Sequence, residues 1–450
     1  MSNSKVKKLT QAAPKDLKAV QDQYLDYPYP LRNPEDDKTR LCKMYGDCLG
    51  ELNHWLYNGK EDFKNKFKIL VAGAGTGDSV IFLADQLKDT NAEIVYLDFS
   101  KASMTIAKKR AEYRNLSNIT WINDSILNIP NLKLGLFDYI NCVGVLHHLE
   151  FPDLGLKILK DSLTKKGGMG LMVYAKYGRT GVYHIQDLMQ MVNKDITSCQ
   201  EEVKNAWLVI NSLPVSNWYI RGKELISDLH TMGDIGLYDL FLHKQDRAYS
   251  IPELYDFVTK ADLNFVDFAE ARSRLLLRLE NFITDTLLLA ELQKRDIIEQ
   301  QAMCEIITGQ IIKHSFFVSN QKPSIASLDD LENVPYFYTV KGLAKQVYDF
   351  LEANPQLVGG SVDFSWKSDL AGDLNINLPV TSFTKYLFKY MINENMSFRE
   401  IFDATMAETG EKIDDKLLTQ NVKNTLTILQ EAGAMLLRNK NVAPFASLFD

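Results

Sequence analysis

Three glycines at alternate positions in Ile69-Leu-Val-Ala-Gly-Ala-Gly-Thr-Gly-Asp78 close an apolar run, and helical periodicity begins directly after them. Lacking Cβ atoms, such a loop can turn tightly and let a ligand approach the main-chain N–H groups of a helix N-terminus. Asp98 stands 21 residues beyond Gly77, at the end of a second apolar run, Ile94-Val-Tyr-Leu-Asp-Phe-Ser100. An acid at that place in a βαβ unit accepts hydrogen bonds from both hydroxyls of a ribose. Ser100 is placed to cap the helix that follows. Glycines near a turn are common, and Asp98 alone could be a solvated loop carboxylate. The order strand, glycines, helix, strand, acid is what makes the pattern specific.

These residues need a scaffold, and the flanking sequence supplies one. Short apolar runs at 67–72, 93–98, 119–123, 137–143 and 170–175 read as strands, and 79–88, 101–114 and 152–164 read as helices between them. That alternation implies βαβ units and a parallel sheet. Two further runs, 263–268 and 314–319, have strand character, and 178–230 is helix-rich. Long helical periodicity covers 275–312. Residues 1–66 read as helical apart from Tyr27-Pro-Tyr-Pro30, which must be extended because each proline keeps its predecessor out of the α region. In the last 125 residues Ser397-Phe-Arg-Glu400 is a capping box, and Gly433 is placed to end a helix at 417–431.

With 450 residues, 46% hydrophobic and 24% charged, the chain has room for two to four domains and is neither collagenous nor low in complexity. No uninterrupted apolar run reaches the roughly 18 residues of a spanning helix, so no integral membrane segment is expected. The basic N-terminus lacks the apolar stretch of a secretory signal. A net charge of −7 argues against a nucleic-acid partner, since neutralising phosphates needs a basic surface. The five cysteines are scattered, without a Cys-x-x-Cys pair, which suits a reducing compartment, hence the cytoplasm.

Nicotinamide or flavin dinucleotides and S-adenosylmethionine are both held by such a loop and acid. A dinucleotide loop needs a third glycine where this chain has Asp78. Gly73, Gly75 and Gly77 with Asp98 behind them instead resemble motif I of class I S-adenosylmethionine-dependent methyltransferases. Asn123-Asp-Ser125 stands where that family places an acid on the adenine amino group. Phe137-Asp-Tyr-Ile-Asn-Cys-Val-Gly-Val-Leu-His-His-Leu149 resembles its fourth-strand motif, and Leu163-Thr-Lys-Lys-Gly-Gly-Met-Gly-Leu-Met-Val-Tyr174 its usual turn and fifth strand. The resemblance implies an α/β fold: a seven-stranded Rossmann-like core with an N-terminal helical cap, a helical insertion and a mostly helical C-terminal domain. The corresponding boundaries are 1–66 for the cap, 67–177 for the cofactor-binding core and 178–250 for the insertion. Residues 251–322 then complete the sheet, and 323–450 form a C-terminal domain resembling a winged helix. It further implies S-adenosyl-L-methionine as cofactor and S-adenosyl-L-homocysteine as product. The implied cofactor contacts are Gly73, Ala74, Gly75, Gly77, Asp78, Asp98, Phe99, Ser100, Asn123, Asp124, Ser125, Val143 and Gly144, with Arg32 reaching the cofactor carboxylate.

Methyl transfer from a sulfonium is an in-line displacement, so alignment is the main requirement. An amine acceptor must also lose its proton, which burial among apolar and aromatic groups favours. Tyr24, Tyr27, Tyr29, Tyr174 and Tyr177 are aromatic groups near the expected cleft, and Tyr29, Tyr174 and His147 are the catalytic candidates. His147-His148 makes a poor metal pair without a third ligand nearby, so no metal is expected. The segments Asp26-Tyr-Pro-Tyr-Pro-Leu-Arg32, 174–183 and 238–250 resemble the rickettsial protein lysine methyltransferases. Those are dimers that act on an outer-membrane surface protein, which implies a homodimer and a protein substrate with accessible lysines. A small-molecule O- or N-methyltransferase is the competing reading. Asp98→Ala is expected to weaken cofactor binding greatly, and calorimetry showing unchanged affinity counts against the assignment.

Overall fold

The computed structural model describes residues 29–44, 46–226, 228–243, 245–340, 342–368, 372–410 and 415–445. The helices expected over 1–28, with Tyr24 and Tyr27, lie outside these residues. The chain forms two compact units. The first takes residues up to 44 with 66–265 and 276–321, and the second takes 45–65, 266–275 and 322–450.

The first unit is built on seven strands: β1 (Lys68–Ala72), β2 (Glu93–Leu97), β3 (Ile119–Ile122), β4 (Phe137–Val143), β5 (Leu163–Tyr174), β6 (Asn264–Phe268) and β7 (Lys313–Ser319). Their order is β3-β2-β1-β4-β5-β7-β6. β1 pairs in parallel with β2 and β4, which brings Ile69 opposite both Ile94 and Tyr139. β5 and β7 run antiparallel. Ile69, Leu70 and Val71 are fully buried, as an interior parallel strand covered on both faces requires. The order reverses between β1 and β4, and ligands of open α/β sheets bind at the carboxyl ends of such strands. The helices Asp78–Gln86 and Lys101–Tyr113 follow β1 and β2, the second capped by the Ser100 side chain, which accepts from Ser103 N–H at 3.2 Å.

Local chemistry departs from the expected pattern in two places. The Lys165-Lys-Gly-Gly168 stretch, read as a turn, is extended and starts β5 seven residues early, with a register shift between Phe137 and Tyr139. A Cβ on Gly167 would lie 2.9 Å from the Phe137 carbonyl oxygen, so glycine there allows the close passage. The periodicity of 275–312 is not one long helix. Asp285 and Asp296 accept hydrogen bonds from Leu288 N–H and Glu299 N–H, so each begins a new helix, Thr286–Leu292 and Ile297–Thr308.

After β5 the chain forms helices Thr180–Val192 and Cys199–Ser212 and ends in a π-helical turn, Tyr238–Leu242. Val182, Ile185, Met189, Val203, Tyr219 and Phe241 make their shared core. The chain then returns to β5, where Tyr249 N–H donates to the Tyr174 carbonyl at 2.9 Å. That return places residues 243–250 beside the end of β5.

In the second unit β8 (Asn333–Phe337) pairs antiparallel with β11 (Met435–Asn439), and β9 (Ser361–Ser368) with β10 (Gly372–Pro379). Leu343, Val347, Leu387, Phe388, Phe398 and Leu429 form its core. The capping box of Ser397 and Glu400 is present. The helix Leu49–Leu56, expected in the N-terminal cap, belongs to this unit. All eight of its residues are buried, and His54 Nδ1 accepts from Leu437 N–H at 3.1 Å. No helix among the described residues is long and apolar enough to cross a membrane.

Glu51 on that helix is 1% exposed and accepts from Gly46 N–H at 3.1 Å and Tyr338 OH at 3.0 Å. Burial pushes its carboxyl from 4.5 up to about 7, against the opposing pull of those two donors. The folded state therefore holds the proton more tightly than the unfolded chain. Its contribution is full below pH 4.5 and is lost as pH rises through about 7. Urea denaturation at pH 5 and pH 7.5 should show wild type losing roughly 3 kcal/mol relative to Glu51→Gln over that rise, as an upper bound.

Candidate active site

The glycine loop lies at the carboxyl end of β1, where the strand order reverses. Gly75 has φ +52°, and a Cβ on it would sit 2.8 Å from the Tyr29 carbonyl oxygen. Gly77 has φ +103°, and a Cβ there would meet the Ala107 Cβ at 2.8 Å. Both close approaches exist only because a side chain is missing. Asp98, at the end of β2, is 8% exposed. Its Oδ2 accepts from Gly75 N–H at 2.8 Å and its Oδ1 from Ser100 N–H at 2.7 Å. Burial raises the Asp98 pKa, while these two N–H donors hold it down. Tyr96 OH donates to the Gly75 carbonyl at 2.8 Å and fixes the other side of the loop.

Asp78 opens the following helix and sits among arginines. Arg32 grips it with Nε at 2.9 Å and Nη2 at 2.6 Å, and Arg110 Nη1 lies 2.7 Å away. Burial alone raises Asp78, but Arg32 and Arg110 together hold its carboxyl below the ordinary value. Arg110 Nε also donates to Asp37 at 2.5 Å, and Arg114 Nε to the same carboxylate at 2.8 Å. Thr76 OH donates to the Pro30 carbonyl at 2.8 Å. The Tyr29–Arg32 segment is thereby strapped over the loop.

The loop opens into a cavity of about 470 Å³. Gly73, Ala74, Gly75, Asp78, Asp98, Phe99, Ser100, Asp124, Ser125, Val143 and Gly144 line it, as do Tyr29, Arg32 and Tyr174. Four described residues singled out from the sequence do not: Gly77, Asn123, His147 and Tyr177. Gly77 packs under the loop against Ala107. Asn123 turns its side-chain amide onto the Asp98 carbonyl at 2.8 Å, so it supports the loop from behind. His147 is completely buried, and burial keeps its pKa far below the ordinary histidine value, helped by His148 and Arg179. It cannot exchange a proton with a molecule in the cavity, and His148 takes its place in the wall.

One wall was not evident from the sequence. Tyr174 OH donates to Asp239 Oδ2 at 3.2 Å, and the Arg179 guanidinium stacks 3.5 Å over the Tyr174 ring. Burial and the nearby Asp239 charge hold the Tyr174 phenol well above its ordinary pKa, so it stays protonated. The rings of His148 and His243 stack at 3.7 Å, and His148 Nδ1 lies 2.8 Å from the Gln245 carbonyl. Asp239, Gln245 and Arg179 all line the cavity. The only sequence signal for this wall was the density of aromatic, acidic and histidine residues in 238–250.

The residues present suit S-adenosylmethionine. A glycine-rich backbone cradle, a carboxylate at the end of β2, Asp124 beyond β3 and the small Gly144 after β4 are all on one cavity. Comparisons with known proteins agree. Residues 70–169 match a family model described as a methyltransferase domain. An uncharacterised Synechococcus protein, syc1184_c, is 29% identical over 261 residues, covering 56% of this chain and 60% of that protein. A ubiquinone biosynthesis O-methyltransferase of Acinetobacter baylyi is 25% identical over 101 residues, covering 22% of this chain and 40% of the relative. The chain thus spans less than two thirds of either protein. Among solved structures, PKMT2 from Rickettsia typhi superposes with a TM-score of 0.58 at 17% identity, covering 92% of this chain and 75% of that one. The same protein in complex with AdoHcy gives 0.56 at 18% identity, covering 86% and 75%. On strand order, glycine loop and family match together, residues 70–169 are similar to a methyltransferase domain and lie in a seven-stranded Rossmann-like sheet whose glycine loop suits S-adenosylmethionine.

Proposed function

We propose that the chain methylates lysine ε-amines of a protein substrate, such as a bacterial outer-membrane surface protein. The Asp239 carboxylate carries this reading: it is 5% exposed, lines the cavity and is held in place by the Tyr174 hydroxyl. When bound, S-adenosylmethionine supplies an electrophilic methyl group. The glycine loop and Asp98 hold its nucleoside part, Asp124 its adenine, and Val143 and Gly144 its methionine part.

Asp239 draws in an ammonium by charge and fixes its direction by a hydrogen bond. In the proposed reaction Asp239 is the group placed to take the ammonium proton, which frees the amine lone pair for the methyl group. Tyr29, which lines the cavity, supplies the aromatic group for the positive methyl centre, since the Tyr174 ring is already covered by Arg179. Tyr174 itself keeps its proton, so it positions Asp239 and is not the base. A cytoplasmic homodimer is part of the same reading.

A small-molecule O- or N-methyltransferase is the second reading, favoured by the similarity to the Acinetobacter O-methyltransferase over 101 residues. Incubation with tritiated S-adenosylmethionine and a lysine-rich surface protein, followed by mass spectrometry of the labelled peptide, separates the two. Label on lysine is expected, and label on small phenols with none on protein sinks the proposal. Asp239→Asn should lower kcat/KM on the protein substrate about a hundredfold while leaving AdoHcy affinity unchanged.

A further inference from the structure

Beside the cavity wall lies a group of buried polar side chains that the methyl-transfer chemistry does not use. His147 and His148 form the end of a 3-10 turn, Leu146–His148, just after β4. Adjacent histidines were expected to diverge, yet their rings lie 4.1 Å apart. Asp246 comes from the segment returning out of the helical insertion. One ring nitrogen of each histidine and one Asp246 carboxylate oxygen all lie within 4.8 Å of one another. The third ligand whose absence argued against a metal in the sequence is thus supplied by a residue about 100 positions away.

We propose that His147, His148 and Asp246 bind one divalent transition-metal ion of zinc-like preference, clipping the returning segment to the end of β4.

The hydrogen bonding favours this set. Neither ring nitrogen of His147, a fully buried residue, has a hydrogen bond of ordinary geometry, and only the Met172 backbone approaches one of them more weakly. Asp246 Oδ1 is also buried without a partner, on a side chain 2% exposed. Leaving a buried polar atom unmatched is costly, so two such residues side by side call for an occupant. The remaining contacts have the form of a ligand's supporting shell. His148 Nδ1 meets the Gln245 carbonyl at 2.8 Å, which fixes Nδ1 as the protonated nitrogen and leaves Nε2 with its lone pair. Asp246 Oδ2 takes Gln186 Nε2 at 3.1 Å and Arg179 Nη2 at 3.5 Å, which orients the carboxylate and leaves Oδ1 open. Two imidazole nitrogens and one carboxylate oxygen are a zinc-like donor set with a fourth position open.

A neighbouring trio, His148, Asp239 and His243, is as compact, but its atoms are engaged. Asp239 accepts from Tyr174 OH, and His243 Nδ1 accepts from Gln245 N–H at 3.1 Å, so its other nitrogen carries the proton. Arg179 is the opposing charge: it meets Asp246 at 3.5 Å while its plane stacks on Tyr174.

The test uses the full chain, stripped with a chelator and dialysed against Zn²⁺ or Co²⁺. Elemental mass spectrometry should find one ion per chain, Co²⁺ should give the intense visible bands of a low-coordinate nitrogen–oxygen site, and Zn²⁺ should raise the Tm. His147→Gln and Asp246→Asn should each weaken metal binding about a hundredfold or more, with AdoHcy affinity as the control for folding. Asp246→Asn keeps the shape of the side chain and decides the matter if His147→Gln does not fold. Failure of wild type to retain either ion overturns the proposal. So does retention by Asp246→Asn at wild-type affinity, or loss of the ion in His243→Gln but not in Asp246→Asn, which assigns it to the other trio.

Discussion

The candidate site depends on one buried carboxylate. Asp98 joins three pieces of chain: its backbone ends β2, its Oδ2 holds the glycine loop through Gly75, and its Oδ1 holds Ser100 at the start of the next helix. Hydrogen bonds to a charged group contribute about 1.5–3 kcal/mol each, so two of them offset much of the cost of burying the carboxylate. The loop is consequently shaped before any ligand arrives. Ligand-binding backbone that is fixed in advance loses little entropy on binding.

From that anchor the cavity extends toward two chemically different ends. The first end is made of backbone and carboxylates on the parallel strands β1 to β4. The second is made of side chains from β5 and the helical insertion, where Tyr174 meets both Arg179 and Asp239. The sheet fixes the first end through its register. The second depends on the insertion folding back so that Tyr249 pairs with Tyr174.

The same division explains what could be read from the sequence. Interior parallel strands are continuous apolar runs, and the glycine loop is local, so the sheet, the loop and Asp98 were legible. The start of β5 was not, since Lys165-Lys-Gly-Gly168 has turn composition and is extended only because Gly167 passes close to Phe137. The helices after 275 were legible as long helical periodicity without their breaks, because periodicity does not register the capping role of Asp285 and Asp296. Asp239 and Asp246 were invisible as neighbours of the site, because only the folded insertion brings them to Tyr174 and His147. The helix Leu49–Leu56 was legible only as part of the helical reading of 1–66, and its sequence does not say what covers it.

The charge cluster around Asp78 also bears on solution behaviour. Arg110, Asp37 and Asp78 have side chains only 2%, 3% and 9% exposed, whereas Lys157 and Asp161 form an ion pair at 46% and 55% exposure. Mobile ions reach and screen the surface pair but are excluded from the buried one. The charges beneath the strap are therefore ones that ionic strength hardly touches, while Arg32, at 32% exposure, is only partly sheltered. The loop keeps its shape in dilute buffer and in concentrated salt alike, while attraction between the acidic surface and any cationic partner fades as salt is added.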